Sequence, residues 1–170
     1  MSKKKNNLAW KFFHRYFIVG LNGMALGLFC TLIIGLIIKQ IGTSLSGPIS
    51  MFLIASASVA TSLTGPVIGI GVAHALNSPK LVILASGVTG FIGAFGSAFA
   101  SGNIVSDTGQ IIVSGPGDPL GAFIAVVIAA EVGRLVSGKT KIDILITPFV
   151  TIIVGALISY VNGPYRYIGM

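Results

Sequence analysis

The chain has 170 residues, of which 54% are hydrophobic and only 9% are charged, and its formal net charge is +7. A soluble globular domain has about a quarter of its residues charged, so this chain has too few charges to coat a water-facing surface and is expected to use lipid as its solvent. Its lysines and arginines lie almost entirely between apolar runs, which argues against nucleic-acid binding and indicates a role in membrane topology.

Five apolar runs predict transmembrane helices, because a helix that crosses a bilayer needs roughly 20 mostly apolar residues. The predicted fold is an all-α integral membrane protein with one membrane domain. Residues 1–16 are expected to form a basic and aromatic interfacial lead, and residues 162–170 a tail. The spans run approximately from Phe17 to Ile38, Pro48 to Leu76, Leu81 to Ala100, Pro119 to Val136 and Ile144 to Val161.

The segment before the first span, LAWKFFHRYF, mixes aromatic and basic side chains. Such a mixture anchors a helix at headgroup depth. No small-residue cleavage site follows a short apolar core, so we expect a retained first helix rather than a signal peptide. Within the span, Gly23 and Gly27 form a GxxxG pair that predicts close helix packing.

The second span is interrupted by Thr64, Gly65 and Pro66. Proline removes a backbone donor and clashes with the preceding turn, so the second helix is predicted to be kinked or broken. Broken helices in transporters expose backbone groups that bind substrate. A plain kink between packed helices explains the same residues equally well.

The third span contains Gly87, Gly90, Gly93 and Gly96, spaced by three. This spacing predicts a flat glycine stripe that admits a neighbouring helix or approaches a ligand, and we favour packing. The polar loop that follows contains no lysine or arginine, and its segment GQIIVS is expected to form a short strand or a re-entrant excursion.

Asp118 followed by Pro119 is typical of an N-cap with proline at the first helical position. Capping is the default interpretation of Asp118, and contact with a ligand is the alternative.

Basic residues predict the orientation of the chain. With a cytoplasmic N-terminus and five crossings, nine of them lie inside, whereas Lys39 and Arg166 lie outside, in agreement with the positive-inside rule. A re-entrant second span would spoil this count. The inside residues are Lys3, Lys4, Lys5, Lys11, Arg15, Lys80, Arg134, Lys139 and Lys141.

The chain resembles the membrane-embedded IIC-type permease subunit of bacterial sugar phosphotransferase systems. The resemblance is to a divergent branch of that group, and the chain is about half as long as the members of that branch. The matching residues are Gly117-Asp118, Ala130-Glu131, Gly133, the loop from Lys139 to Asp143, Thr147-Pro148 and the run Leu21-Asn22-Gly23-Met24-Ala25.

The resemblance implies a multi-pass transporter of the bacterial cytoplasmic membrane that moves a sugar-like or other small polar solute. It also implies a homodimer or completion by partner membrane segments, and cooperation with soluble IIA and IIB modules. No cofactor is implied. Nothing in the chain resembles the phosphorylated Cys or His sites of those modules, because Cys30 lies in an apolar run and His14 and His74 lack a fitting context. We therefore expect no enzymatic activity.

Glu131 and Arg134 form the most unusual pair in the sequence, an acid and a base at positions i and i+3 of an apolar helix. An ionisable residue inside a membrane is a functional-site hypothesis by default. Glu131 is expected either to bind solute hydroxyls or only to neutralise Arg134. The candidate solute contacts are Glu131, Asp118, Thr64, Gly65 and Asn22, and the candidate structural or topological residues are Arg134, Pro66, Pro148, Lys139 and Lys141.

If the protein is a permease, the helix break at Thr64 and the side chain of Glu131 are expected to face one internal cavity. The alternative is a non-transporting membrane protein, either a small-ligand receptor or an assembly scaffold, whose helices pack without such a cavity.

Overall fold

The computed structural model of the protein describes residues 8–102, 104–106, 108–113 and 115–165. The predicted topology signals Lys3, Lys4, Lys5 and Arg166 lie outside these residues. α1 (residues 8–44) contains two π-helical segments, His14–Val19 and Phe29–Ile33. The other helices are α2 (Pro48–Ser62), α3 (Thr64–Ala75), α4 (Lys80–Ala94), α5 (Gly96–Ala100), α6 (Pro119–Val136) and α7 (Asp143–Tyr165).

The predicted all-α membrane fold is confirmed. The stretches Trp10–Ser44, Pro119–Val136 and Asp143–Asn162 are long and apolar enough to cross a membrane, and α2 with α3 adds a fourth if the bent pair is one span. α4 is also apolar but has only 15 residues. The count of five spans and the cytoplasmic N-terminus therefore stay predictions.

The predicted interruption of the second span is confirmed. α2 and α3 meet at Leu63 with a bend of 47°. Pro66 is the third residue of α3 and has no N–H that could donate to the carbonyl of Ser62. The helical pattern of backbone hydrogen bonds is therefore interrupted where the bend occurs. By contrast, α7 runs through Pro148 without a break.

The predicted third helix is not continuous, because α4 ends at Ala94 and α5 begins at Gly96. The carbonyl oxygen of Ala94 accepts a hydrogen bond from the backbone N–H of Asp118 at 2.7 Å. A loop donor thus takes the acceptor that a further helical turn would use. The described part of the aromatic lead, from Leu8 onward, is continuous with the first span in α1.

α4 lies at the centre of the helix bundle and packs on α3, α6 and α7. The glycines of α4, together with Gly96 at the start of α5, do not form the flat stripe that we predicted, because three residues turn a helix by about 300° and each step shifts the contact by about 60°. Gly90 packs on Gly65 of α3, a Cβ on Gly93 would lie 2.8 Å from the Gly121 oxygen in α6, and Gly96 meets Ser159 of α7. These glycines therefore allow three other helices to pack closely against this part of the chain.

The second half of α1 and all of α2 form an antiparallel hairpin that projects from this bundle. Gly35 meets Thr61 and Gly42 meets Ile54 within the hairpin, and Ala57 is the buried residue of α2. The predicted GxxxG contact is confirmed in the first half of α1, where Gly23 and Gly27 approach the backbone of α3.

The loop between α5 and α6 folds back on the bundle. Ile104 is only 2% exposed and joins the apolar core. Val105 and Ile111 form an isolated antiparallel bridge, so the described part of the GQIIVS segment contains a bridge rather than a strand.

Candidate functional site

Arg15 and Glu131 form the shortest ion pair found among the described residues, although 116 positions separate them. Arg15 Nη2 donates to Glu131 Oε1 at 2.9 Å and to the backbone oxygen of Leu76 at 3.2 Å. Arg134 Nη1 lies farther from the same Glu131 oxygen, at 3.8 Å. Arg15 therefore connects α1 to the C-terminal end of α3 and to α6.

A half-open cavity of about 500 Å³ surrounds this ion pair. It lies between the first turns of α1 and the last turns of α6, so both helix ends meet on one side of the bundle. We call it the basic cavity, because its wall contains four cationic side chains and one carboxylate. Its lining residues are Lys11, Phe12, Arg15, Tyr16, Glu131, Arg134, Leu135 and Lys139.

Asp118 caps α6, as the sequence predicts. Its carboxylate accepts hydrogen bonds from the backbone N–H groups of Leu120 at 3.1 Å and Gly121 at 2.8 Å. Pro119 occupies the first helical position, where its missing N–H costs nothing. The cap puts a negative charge at the positive end of the α6 dipole.

A second cavity, of about 280 Å³, adjoins this cap, and we call it the Asp118 cavity. It lies where α4 breaks into α5, and α7 closes its far side. Its polar groups are a carboxylate, two hydroxyls and one carboxamide, set among small and branched apolar residues. The lining residues are Gly93, Ala94, Gly96, Ser97, Asp118, Leu120, Gly121, Ile124, Ser159 and Asn162.

The expected convergence of the Thr64 break and Glu131 on one cavity does not occur. Glu131 is 13 residues beyond Asp118 in α6, which corresponds to about 20 Å along the helix. Thr64 is fully buried and takes a hydrogen bond from Thr31 at 3.1 Å. Its neighbour Gly65 packs directly on Ala94, a wall residue of the Asp118 cavity. The break therefore lies behind the Asp118 cavity instead.

Of the remaining predicted residues, two line a cavity and the others lie outside both cavity walls. Among those outside, Asn22 is exposed on α1, and Lys141 is exposed in the loop between α6 and α7. Arg134, expected as the partner of Glu131 or as a topology signal, lines the basic cavity, and so does Lys139, which was expected as a topology signal.

Sequence reasoning missed Arg15 as the partner of Glu131, and it missed Ser97, Ser159 and Asn162 as cavity residues. Arg15 carried a signal, since an acid inside an apolar span needs a cation at the same membrane depth in another span. The two serines and the asparagine carried none, because serine hydroxyls in apolar helices commonly bond to their own backbone, as Ser159 does to Gly155 at 2.7 Å.

Among the residues that the structure describes, no group of three or more His, Cys, Asp or Glu side chains is close enough to hold a metal ion. What the two walls offer is hydrogen bonding in one cavity and positive charge in the other.

A family model described as "Phosphotransferase system, EIIC" matches residues 18–167. This range contains every residue of the Asp118 cavity and begins just after Arg15 and Tyr16 of the basic cavity. No curated protein and no solved structure gives a significant match.

Proposed function

The chain belongs to the phosphotransferase system EIIC family, and from that premise we propose that it binds a sugar-like or other small polar solute and carries it across the bacterial cytoplasmic membrane. As an EIIC protein it is a membrane permease subunit, the transporter-type component rather than the phosphorylating one, and it works with IIA and IIB modules.

The polar cavity at the α4–α5 break is the observation that carries this proposal. Discontinuous helices in transporters commonly form solute sites, because the ends of half-helices present unpaired backbone groups and dipole charge. Here the broken ends of α4 and α5 and the capped N-terminus of α6 border one cavity. The volume of about 280 Å³ is near the lower end of the range for small-molecule sites.

The chemistry of the wall fits a polyhydroxylated solute. The Asp118 carboxylate accepts hydrogen bonds from hydroxyl groups, and such charge-assisted bonds are about twice as strong as neutral ones. Ser97 and the Asn162 carboxamide can both donate and accept. Leu120 and Ile124 offer apolar surface to the ring face of a sugar. We assign the solute contacts to this cavity first.

Translocation requires a path between the two cavities, and we place Thr64, Gly65 and Glu131 along it. Gly65 and Gly90 touch so closely that their Cα positions admit no side chain, and we propose that this contact between α3 and α4 closes the path. We propose that a sliding of α3 against α4 opens the path past Thr64 and Gly65. Glu131 then contacts the solute as it leaves.

Oligomerisation is a further part of the proposal. The hairpin of α1 and α2 exposes large apolar side chains such as Met51, at 75%, and Phe52, at 71%. We propose that a homodimer or partner membrane segments complete the transporter, with lipid covering the rest.

Solute binding by the purified chain in lipid nanodiscs tests the proposal. A panel of monosaccharides and disaccharides is screened for a rise in melting temperature, and hits are measured by equilibrium dialysis. Asn162→Ala should weaken the binding of a hit about tenfold, since it removes hydrogen bonds from the cavity wall.

Asn22→Ala is the matched control, because it removes the same side chain from an exposed position outside both cavities. Equal weakening by the two variants would place the solute elsewhere. A panel that leaves the melting temperature unchanged, together with absence of sugar uptake in cells that also contain the IIA and IIB modules, would contradict the proposal.

A further inference from the structure

The basic cavity has an excess of positive charge that the described residues of its wall do not compensate. Lys11, Arg15, Arg134 and Lys139 face one carboxylate, that of Glu131. We propose that this cavity binds a phosphate ester, either the headgroup of an anionic phospholipid or a soluble phosphate monoester.

The hydrogen bonds of the cavity show how little of this charge is neutralised. Glu131 Oε1 is engaged by Arg15 at 2.9 Å, whereas Arg134 is 3.8 Å away and makes no hydrogen bond to it. Lys11 and Lys139 take part in no ion pair within the described part of the chain. Arg15 Nε is buried and has no hydrogen-bond partner there. Within the described part of the chain, Lys11 and Lys139 therefore have no acid partner, and Arg134 shares the Glu131 carboxylate with Arg15.

An anion relieves the mutual repulsion of these cations. Within about 8 Å, charges at a partly dehydrated surface are only weakly screened by physiological salt. A phosphate ester presents several oxygens to several donors at once, and guanidinium groups bind such oxygens through two parallel N–H donors. A single carboxylate would satisfy fewer of the cations.

The rest of the wall indicates that the bound group has an apolar or ring-bearing part. Phe12 and Tyr16 stack with their ring centroids 5.8 Å apart, and Leu135 is 65% exposed beside them. Phe13 and Phe17 form a second stack on the outer face of α1, at 5.0 Å. Aromatic rings at this position are typical of headgroup depth, where basic pockets between helices bind lipid phosphates.

This inference is independent of the solute assigned to the Asp118 cavity. The two cavities are at opposite ends of α6, about 20 Å apart along the helix, and they differ in charge. A failure of sugar binding would leave the phosphate site untouched, and a failure of phosphate binding would leave the sugar proposal untouched.

Lys139→Gln and Lys141→Gln are a matched pair for the test. Both remove one positive charge from the same loop, but only Lys139 lines the cavity. Both side chains are exposed, so both variants should fold. In the lipid arm, the protein in nanodiscs of phosphatidylcholine with a minor fraction of phosphatidylglycerol is analysed by native mass spectrometry. In the soluble arm, calorimetry measures inorganic phosphate and glucose 6-phosphate with nanodiscs of phosphatidylcholine alone.

We expect saturable binding in at least one arm, weakened about fivefold to tenfold by Lys139→Gln and by Arg134→Gln but less than twofold by Lys141→Gln. The arm that responds identifies the source of the phosphate. Equal weakening by Lys139→Gln and Lys141→Gln would show general attraction to a basic surface and would overturn the proposal. Absence of saturable binding in both arms would overturn it as well.

Discussion

The guanidinium of Arg15 reaches the carboxylate of Glu131 at 2.9 Å, between residues that are 116 positions apart in the chain. The side chains remain 36% and 31% exposed, so solvent screens their attraction. The same Arg15 atom also caps the C-terminal end of α3 through Leu76. One side chain therefore fixes α1 against two other helices.

The first prediction is that Glu131 is energetically coupled to Arg15 and hardly to Arg134. A double-mutant cycle of Arg15→Gln and Glu131→Gln should give a coupling of about 1 kcal/mol, the upper range for partly exposed pairs. The cycle of Arg134→Gln and Glu131→Gln should give less than about 0.3 kcal/mol, because 3.8 Å is too long for a hydrogen bond. The free energy of unfolding is measured by detergent titration in mixed micelles. A larger coupling to Arg134 would contradict the geometry.

The second prediction concerns the glycines of α4. A Cβ at Gly90 would overlap the backbone oxygen of Gly65, and backbone cannot yield cheaply. Gly90→Ala should therefore lower the free energy of unfolding by about 1–3 kcal/mol, as overpacking does in well-packed interiors. Gly87→Ala is the control on the same helix, because its Cβ meets the flexible end of Ile70 at 3.3 Å.

Thermal unfolding in nanodiscs compares the two alanine variants directly. We expect Gly87→Ala to melt within a few degrees of the parent chain. If Gly90→Ala were equally stable, α3 and α4 would not approach as closely as the structure has them.

Features that depend on neighbouring residues could be predicted from the sequence. The cap of Asp118 and the position of Pro119 follow from local backbone chemistry. The interruption near Pro66 follows in the same way from a missing N–H. The bounds of α6 were also predicted, because a polar cap and a glycine-containing loop delimit its apolar run.

Features that depend on packing between distant helices could not be predicted. The spacing of Glu131 and Arg134 suggested a local pair, but helix packing brings Arg15 closer. At the break at Phe95, the Asp118 N–H donates a hydrogen bond to the Ala94 oxygen, and this bond links two helices. The Asp118 cavity is a consequence of that break, so its polar residues share no sequence pattern.

The third prediction separates the two interpretations of Asp118. Asparagine caps helices about as well as aspartate does, so Asp118→Asn should change the free energy of unfolding by less than about 0.5 kcal/mol, whereas Asp118→Ala should cost about 1 kcal/mol. If the carboxylate also holds a solute, Asp118→Asn should weaken sugar binding about tenfold through the loss of charge-assisted hydrogen bonds.

Equilibrium dialysis with the sugar identified by the panel gives the affinity, and detergent titration gives the stability. Unchanged affinity in Asp118→Asn, with loss in Asp118→Ala, would reduce Asp118 to a structural cap.

The fourth prediction concerns the path of the chain through the membrane. α1 is continuous from Arg15 to Ser44, about 44 Å at about 1.5 Å per residue, and Arg15 contacts Leu76 at the end of α3. The loop at Ser46 and the end of α3 therefore lie at opposite ends of α1. This arrangement favours a single bent crossing by α2 and α3 over a re-entrant loop, which would return α3 to the side of Ser46.

Cysteine labelling in intact cells tests this path in a background with Cys30→Ser. Ser46→Cys and Thr108→Cys are exposed in the loops after α1 and α5, and Thr140→Cys is exposed in the loop after α6. With a cytoplasmic N-terminus and five crossings, a membrane-impermeant maleimide should label the first two variants directly and Thr140→Cys only after permeabilisation. Labelling of Ser46→Cys but not of Thr108→Cys would mean that α2 and α3 do not cross together, because the parity of the chain would then change between the two loops.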